Sequence, residues 1–401
     1  MSSAAGMISM GAYLPARKLS SQRKSQLVTY LTNETLLQEE YVKQIDNNGQ
    51  LPGRVESNYD GWEKQPWFQT WLKNLPLKKQ DDPFQGTKER RRVPLDPESL
   101  RDSVTPHPML PSDAETLAGA IALMNGGIDK DEIDLVMVAS QVADLLLPPN
   151  ASLVQHKLRL SNAGAYHIDT CCSSFVTMLE IAAGLIKAGL KRKILIIASY
   201  IDSLVNDKST YFSVNTGDAS VAAIISEVNE GYGFMASHST SHGSRHDGVI
   251  LQRRPPEISK STDHGHSCEQ SFVTFYNQSA NKEIAANAQQ DMVAVVNQAL
   301  KKVGLSISDI DFCVTHQPVY WAGDVWREGL GVPKKRFYET FEIYGNIANC
   351  SAPVNLLEAI GLKLITAGDI VLIASSGAGE NHIAVIERIT EHLVNSLDHG
   401  G

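Results

Sequence analysis

The sequence predicts a layered α/β protein made of two copies of one unit, and three observations carry that prediction. From Asp113 onward, short apolar runs alternate with stretches whose apolar residues recur at helical spacing, the rhythm of βαβ architecture. Three blocks of the first half also recur in the second half, in the same order. Ser308–Gln317 mirrors Asp131–Gln141 once one residue is allowed for, Cys350–Ile360 mirrors Cys172–Ala182, and Ala367–Ser375 mirrors Leu190–Ser199. Matched positions lie 176 to 178 residues apart, a constancy that chance does not produce. Finally, 401 residues with 42% hydrophobic and 20% charged side chains supply ordinary soluble cores for two domain-sized units. The predicted halves are residues 1–227 and 228–401.

In chain order, Met7–Leu14 reads as a short strand ended by Pro15. Residues 20–85 are polar, lack a strand pattern and hold Trp62, Trp67 and Trp71. Helical pieces are expected near 34–46 and 66–74, in an insertion that is either a lid or surface decoration packed on the main body. Ala114–Met124 is helical and Ile133–Ala139 is a buried strand. Ala151–Leu158 is helical, and Ala165–Asp169 is a strand leading into Cys171-Cys172. A helix over 173–189 follows, then strands at Lys193–Ser199 and Ser220–Ser226.

The net charge of −9, from 36 basic and 45 acidic side chains, argues against a nucleic-acid binder, which needs a basic face. The run Lys88–Arg92 reads as a local patch for an acidic carrier or phosphate, or as a solvated loop. Cysteines stand at 171, 172, 268, 313 and 350. Their odd number and spacing predict neither a disulfide framework nor a zinc site. His264, His266 and Cys268 sit in polar, loop-like sequence, and no metal is expected there. The first residues lack the charged and apolar regions of a secretory signal, and no apolar run approaches the ~18 residues of a membrane span. The expectation is a reduced, cytoplasmic protein.

The most chemical stretch is Asp169-Thr170-Cys171-Cys172-Ser173-Ser174-Phe175. It places a thiol after an apolar run, among small residues, at the mouth of a helix whose dipole favours a thiolate. The repeat isolates what differs: the second half has His316 where the first has Ser140, and Asn346 where the first has Ile168. Equivalent strand ends of pseudo-twofold units converge, so Cys172, His316 and Asn346 are expected to share one cleft.

These residues resemble the thiolase-fold condensing enzymes, specifically the β-ketoacyl-ACP synthase III-like branch. Asp169-Thr170-Cys171-Cys172-Ser173-Ser174 is similar to the Asp-Thr-Ala-Cys-Ser-Ser nucleophile run of polyketide ketosynthases, and Cys172-Ser173-Ser174-Phe175 to the Cys-Ala/Ser-Gly-Phe of synthase III enzymes. His316-Gln317 resembles their His-Gln-Ala-Asn motif, Tyr344-Gly345-Asn346 their Gly-Asn-Thr-Ser motif, and Gly217-Asp218-Ala219 their Gly-Asp-Gly-Ala. Gly11–Pro15 and Gly86–Arg91 are similar to N-terminal hallmarks, Gly377-Ala378-Gly379 to a Gly-rich turn, and His246-Asp247-Gly248 to a loop of no direct catalytic role. The likeness spans nearly all of the chain outside 20–85.

The resemblance implies a thiolase fold: two pseudo-twofold-related βαβαβ-type halves forming a five-layer αβαβα sandwich, in a homodimer. Cys172 is then the nucleophile that takes an acyl group from CoA or an acyl carrier protein. Cys171 is a packing residue, and Cys350 the vestigial counterpart of Cys172. Backbone N–H groups of Cys172 and Ala378 form the oxyanion site. His316 and Asn346 hold the thioester carbonyl of a malonyl- or β-ketoacyl-type partner during decarboxylative Claisen-type condensation, with no permanently bound cofactor and no metal. Asn349 is out of motif register and suits a turn or cap. Trp321 and Trp326 line the acyl channel or fill the core. Three departures, namely Pro318-Val319-Tyr320-Trp321 after His-Gln, Ser174 in place of glycine and the long insertion, point to a specialised relative in polyketide or other secondary-metabolite synthesis. The alternatives are an acyltransferase using His316 as base to pass the acyl group to an O, N or C nucleophile, and a non-catalytic partner subunit. The intact Cys172, His316 and Asn346 speak against the last.

Overall fold

The computed structural model describes residues 4–57, 87–93, 109–204, 215–253, 272–275 and 277–398. The three insertion tryptophans, the helix expected at 66–74 and the His264–Cys268 group lie outside the described residues.

Two mixed sheets organise the chain, and outside them β9 Ile250–Arg253 pairs with β10 Phe272–Phe275. The first has strand order β1-β7-β6-β4-β5, with β1 Ala4–Tyr13, β4 Leu135–Ser140, β5 Gly164–His167, β6 Lys193–Ile201 and β7 Asp218–Val228. Strand β4 runs parallel to β5 and β6, while β7 is antiparallel to β6 and β1. The second sheet has order β11-β12-β13-β8, with β8 Gly233–Ser241, β11 Phe312–Thr315, β12 Ile370–Gly377 and β13 Asn381–Arg388. Its pairing repeats the scheme, one parallel contact and then two antiparallel ones. The partner of β11 that would match β5 is reduced to a single parallel bridge, Cys313 with Phe337. Strands β4 and β6 are buried almost throughout, as their unbroken apolar runs require of strands covered on both faces.

Helices complete five layers. Helices α3 Pro111–Gly126 and α4 Ala151–Lys157 cover the outer face of the first sheet, while α6 Gln278–Lys302 and α7 Ala322–Leu330 cover that of the second. Between the sheets lie α5 Ser174–Lys187 and α9 Ser351–Gly361, numbered after α8 Phe341–Tyr344. Three hydrophobic clusters follow from this layering. The central one packs Phe175, Met178 and Leu179 of α5 with Leu356 and Ile360 of α9, and one cluster lies under each outer layer. Trp326 fills the outer core of the second sheet and donates its indole N–H to Ala288, whereas Trp321 is exposed.

Several boundaries differ from the sequence reading. Helix α3 starts three residues early because Pro111 supplies the first-turn φ and the Asp113 carboxylate accepts the Leu110 N–H. Strand β5 stops at His167, and Asp169 belongs to the turn beyond it. In the insertion, α1 Ser21–Glu34 and α2 Glu39–Asn48 replace the single piece expected at 34–46. Their Leu27, Leu31, Tyr41 and Ile45 are buried in the outer core of the first sheet, so this part is structural packing. The basic run is neither a patch nor a solvated loop. It forms strand β3 Glu89–Arg92, paired with β2 Arg54–Ser57; Arg90 and Arg92 are buried, and Arg92 pairs with Asp202 at 2.5 Å. Lys88 stays exposed and pairs with Glu342.

Candidate active site

The nucleophile turn is held by its own side chains. Cys171 adopts φ +53°, left-handed backbone that is strained for an L-residue, and this turns the chain sharply between β5 and α5. Asp169 Oδ1 accepts the Cys171 N–H at 2.7 Å. Ser174 Oγ accepts the Thr170 N–H at 2.9 Å and donates to the Cys171 carbonyl at 2.6 Å. The serine that departs from the family glycine is thus a fully buried clamp on the turn.

Hydrogen bonding from the Ala378 N–H, the Gln141 side-chain amide and the Cys172 N–H favours the Cys172 thiolate. Burial nevertheless dominates and pushes the thiol up to about 11. The expectation that the helix mouth favours a thiolate is overturned: desolvation outweighs the hydrogen bonds at the start of α5. Cys171 is likewise pushed up to about 12 by burial, with Cys172 and Asp169 nearby adding to the effect.

The loop that brings Ala378 here fits only without a side chain at Gly377. A Cβ there would overlap the Thr170 carbonyl oxygen and crowd Ser173 Oγ. Ser375 Oγ donates to the Cys172 carbonyl at 2.9 Å, so β12 and the nucleophile turn are cross-tied.

His316 follows β11 and is buried, 1% exposed. Burial pushes it down to about 3, against a smaller opposing effect from its hydrogen bond to the Ala348 backbone. The ring is therefore neutral, and Nδ1 has no partner. Ala348 also links to Asn346, whose Oδ1 accepts the Ala348 N–H at 2.8 Å while its Nδ2 donates to the Pro318 carbonyl at 3.2 Å. Gly345 at φ +67° packs onto the Asn215 carbonyl where no Cβ fits, and Gly217 is equally tight against Tyr344. Thus the Gly217-Asp218 and Gly345-Asn346 motifs lock together, backbone to backbone.

The 3-10 turn Cys171–Ser173 meets the 3-10 turn Ala348–Cys350 between the sheets. The Cys172 and His316–Asn346 groups are in this way brought to one region. Sheet pairing sets Leu135 with Ile194 as it sets Phe312 with Val371, so His316 corresponds to Ala139 and Gln317 to Ser140, one residue from the register the sequence repeat implied. In the turns the sequence register is one residue off. Cys171 and Ala348 carry the matching positive φ, and Asp169 and Asn346 make the same side-chain contact two residues ahead of each. Asp169, not Ile168, is therefore the counterpart of Asn346. The counterpart of Cys172 is Asn349 rather than Cys350, which aligns with Ser173. Asn349 donates to the Ala139 carbonyl at 2.9 Å, and Cys350 is a buried thiol against the Ala198 and Ala219 carbonyls.

Two residues escaped the sequence reading. Gln141, directly after β4, left no signal beyond its identity with the mirrored Gln317. Glu115 is fully buried in α3 and accepts from Ser140 and Ser199 (2.6 and 2.5 Å) and from Asn150 (3.0 Å). Desolvation pushes it up to about 7 despite those donors. It braces the strand end that carries Gln141, and an acid inside Ala114–Met124 was the available clue.

Residues 166–243 match the family model described as 3-oxoacyl-(acyl-carrier-protein) synthase III, and residues 300–389 match that of its C terminal part. The chain is 30% identical over 273 residues to a β-ketoacyl-(acyl-carrier-protein) synthase III of Clostridium tetani, covering 67% of this chain and 81% of the relative. The β-ketoacyl-(acyl-carrier-protein) synthase III structure from Thermus thermophilus superposes with a TM-score of 0.70 at 26% identity, covering 96% of this chain and 98% of the other. The priming β-ketosynthase of the R1128 polyketide pathway shares the fold, with a TM-score of 0.68 at 20% identity and 96% of each chain covered.

Proposed function

This chain belongs to the β-ketoacyl-(acyl-carrier-protein) synthase III family of condensing enzymes and has their thiolase fold, and from that premise we propose a two-step reaction at Cys172. Family members act on acyl thioesters without a permanent cofactor. In the first step Cys172 attacks an acyl-CoA or acyl-carrier-protein thioester. The N–H groups of Cys172 and Ala378 receive the developing oxyanion, the carrier thiolate leaves, and it takes up the proton that Cys172 gave up. In the second step a malonyl- or β-ketoacyl-type thioester carrying an α-carboxylate loses it as carbon dioxide, and the electron pair stays as an enolate. His316 and Asn346 donate to the enolate oxygen, the enolate carbon attacks the acyl carbonyl, and the C–S bond breaks to release Cys172 as a thiolate that takes a proton from water.

The observation that carries this reading is the pairing of a thiol among three donors with a histidine held neutral. A general base works best with a pKa near the operating pH, and a ring pushed down to about 3 is a poor one. The same neutral ring has one N–H to donate, held by the Ala348 carbonyl at rest and handed to the enolate oxygen in the proposed step. This favours condensation over the second reading, an acyltransferase with His316 as base. We also propose a specialised, polyketide-type role. Its support is a site built with Gln141, Ser174 and a Pro318 carbonyl that accepts from Asn346. The division into halves at 227/228 and a cytoplasmic location remain part of the proposal; no helix among the described residues is long and apolar enough to cross a membrane.

A homodimer completes the proposal. Strand β5 is the edge of the first sheet, and Leu145, Leu146 and Leu147 in the loop after β4 are 59, 73 and 85% exposed. An open edge and an exposed apolar loop fit a second copy. The test of function is intact-mass analysis after incubation with acyl donors, followed by malonyl-ACP or malonyl-CoA with carbon dioxide measured. The expected results are an acyl adduct lost in Cys172→Ala and carbon dioxide release lost in Asn346→Ala. Absence of an adduct with every donor refutes both readings.

A further inference from the structure

A second cluster of reactive side chains lies behind the loop that carries Ala378. It gathers His242 just after β8, Asp291 on α6, Glu380 in the β12–β13 turn and His382 on β13. His242 Nε2 is 3.5 Å from Asp291 Oδ1, and His382 Nε2 is 3.2 Å from Glu380 Oε2 and 4.0 Å from Asp291 Oδ2. Ligand atoms of His242, Asp291 and His382 all lie within 4.8 Å of one another. Zinc bonds of 2.0–2.1 Å in a tetrahedron give edges of about 3.3 Å. The cluster is within reach of that figure with small side-chain shifts.

Charge argues in the same direction. Arg245, itself buried, pairs with Asp291 Oδ2 at 2.7 Å and Glu380 Oε2 at 3.2 Å. It orients both carboxylates and leaves Asp291 Oδ1 facing His242. One guanidinium against two carboxylates leaves the pocket one positive charge short, with Glu283 at 4.0 Å adding more negative charge. Two imidazoles beside that excess suit a borderline-soft divalent cation. His382 and Glu380 are buried, whereas the His242 side chain is 41% exposed and gives the ion an entry path.

We propose that His242, Asp291 and His382 form a binding site for one divalent transition-metal ion of the zinc class, with Glu380 and Arg245 beside it. The ion takes no part in the reaction. It pins the β12–β13 turn through His382 and His242, whose N–H donates to the Glu380 carbonyl at 2.9 Å, two residues along the chain from Ala378. His382 Nδ1 meets no acceptor, and lack of such an outer partner weakens affinity about 10–100-fold, so the site is exchangeable rather than permanently filled.

The test uses full-length Cys172→Ala protein, which removes the catalytic thiol as a rival ligand and makes the readout independent of the proposed condensation. The chelator-stripped protein is titrated with zinc chloride by calorimetry, and bound metal is counted after desalting. The expected result is one ion per chain and a higher thermal midpoint with zinc. His242→Ala, at a half-exposed position where folding is undisturbed, is expected to weaken binding at least tenfold, and His382→Gln likewise. Absence of stoichiometric binding, or binding that survives both substitutions unchanged, overturns the site.

Discussion

Replacing Gln141 with leucine tests the electrostatics of the nucleophile directly. The Gln141 amide is one of three donors on the Cys172 thiol, and its Oε1 is buried with no partner. A leucine of similar size removes the donor and breaks no other hydrogen bond, so stability should hold. A hydrogen bond to a charged group is worth about 1.5–3 kcal/mol, which is roughly 1–2 pH units of thiol acidity. With Cys172 near 11 in the native protein, about one thiol in a thousand is ionised at pH 8. Gln141→Leu lowers that fraction a further ~10–100-fold. The assay is the pH–rate profile of Cys172 alkylation by iodoacetamide, followed by intact mass. Native protein should show a rate that climbs about tenfold per pH unit with no plateau below pH 10. The variant should run parallel and 10–100-fold lower. A native plateau below pH 8, or superimposable profiles, refutes the reasoning.

Four further outcomes are expected. Gly377→Ala drives a Cβ into the Thr170 carbonyl and displaces the Ala378 N–H; acylation should slow by ~10²–10³-fold, the cost of one oxyanion donor, with circular dichroism unchanged. His316 is depressed to about 3 from 6.5, so the unfolded chain binds its proton first as pH falls. Its contribution to stability is present above pH 6.5 and is lost as pH falls from there toward 3, and the condensation rate should show no histidine titration between pH 5 and 8. Glu115 and Glu387 are both raised to about 7 by burial, so here the native state holds the extra protons. Each costs stability progressively as pH rises from 4.5 to 7, about 3 kcal/mol at the limit, and Glu115→Gln should raise the thermal midpoint at pH 7.5 relative to that at pH 4.5 when compared with the native protein. Leu146→Asp should shift sedimentation from dimer to monomer; an unchanged native monomer would sink the edge-strand proposal.

The repeat made the layered fold legible because both halves kept their buried strands, with Leu135 paired to Ile194 as Phe312 is paired to Val371. The turns were misaligned by one residue because side-chain identity there reports different things. Cys172 and Cys350 look alike but are not equivalent, whereas Asp169 and Asn346 are equivalent and look different. Backbone φ decides the register, and the positive values at Cys171 and Ala348 fall on residues that carry no glycine signal. The thiol's ionisation was also illegible. A helix mouth is visible in sequence, but Ser375 and Ala378, part of what closes over Cys172, come from the other half of the chain. The buried arginines of β3 show the same limit, because a run of charges reads as surface until its distant partner Asp202 is known.

The two halves also explain why catalytic labour is divided as proposed. Gln141 and Gln317 mirror each other in the sequence repeat, Gln141 directly after β4 and Gln317 two residues after β11. Gln317 spends its full capacity on structure: its amide donates to the Gly345 carbonyl at 2.7 Å, and its oxygen accepts from Thr340 and from Asn355, both at 3.1 Å. That fixes the loop holding Asn346 and leaves the adjacent His316 ring rigid and dry, which suits a neutral donor. Gln141 has no such partners for its oxygen, so its amide is available to the thiol. At the turn the roles reverse. Asn349, the counterpart of Cys172, is bound to the Ala139 carbonyl of the other half and serves as a brace. Each half therefore commits to structure the position that the other leaves open for chemistry. A swap such as Asn349→Cys would place a second thiol at the mirrored turn but break the tie to β4, and we expect it to destabilise the protein without creating a second acylation site.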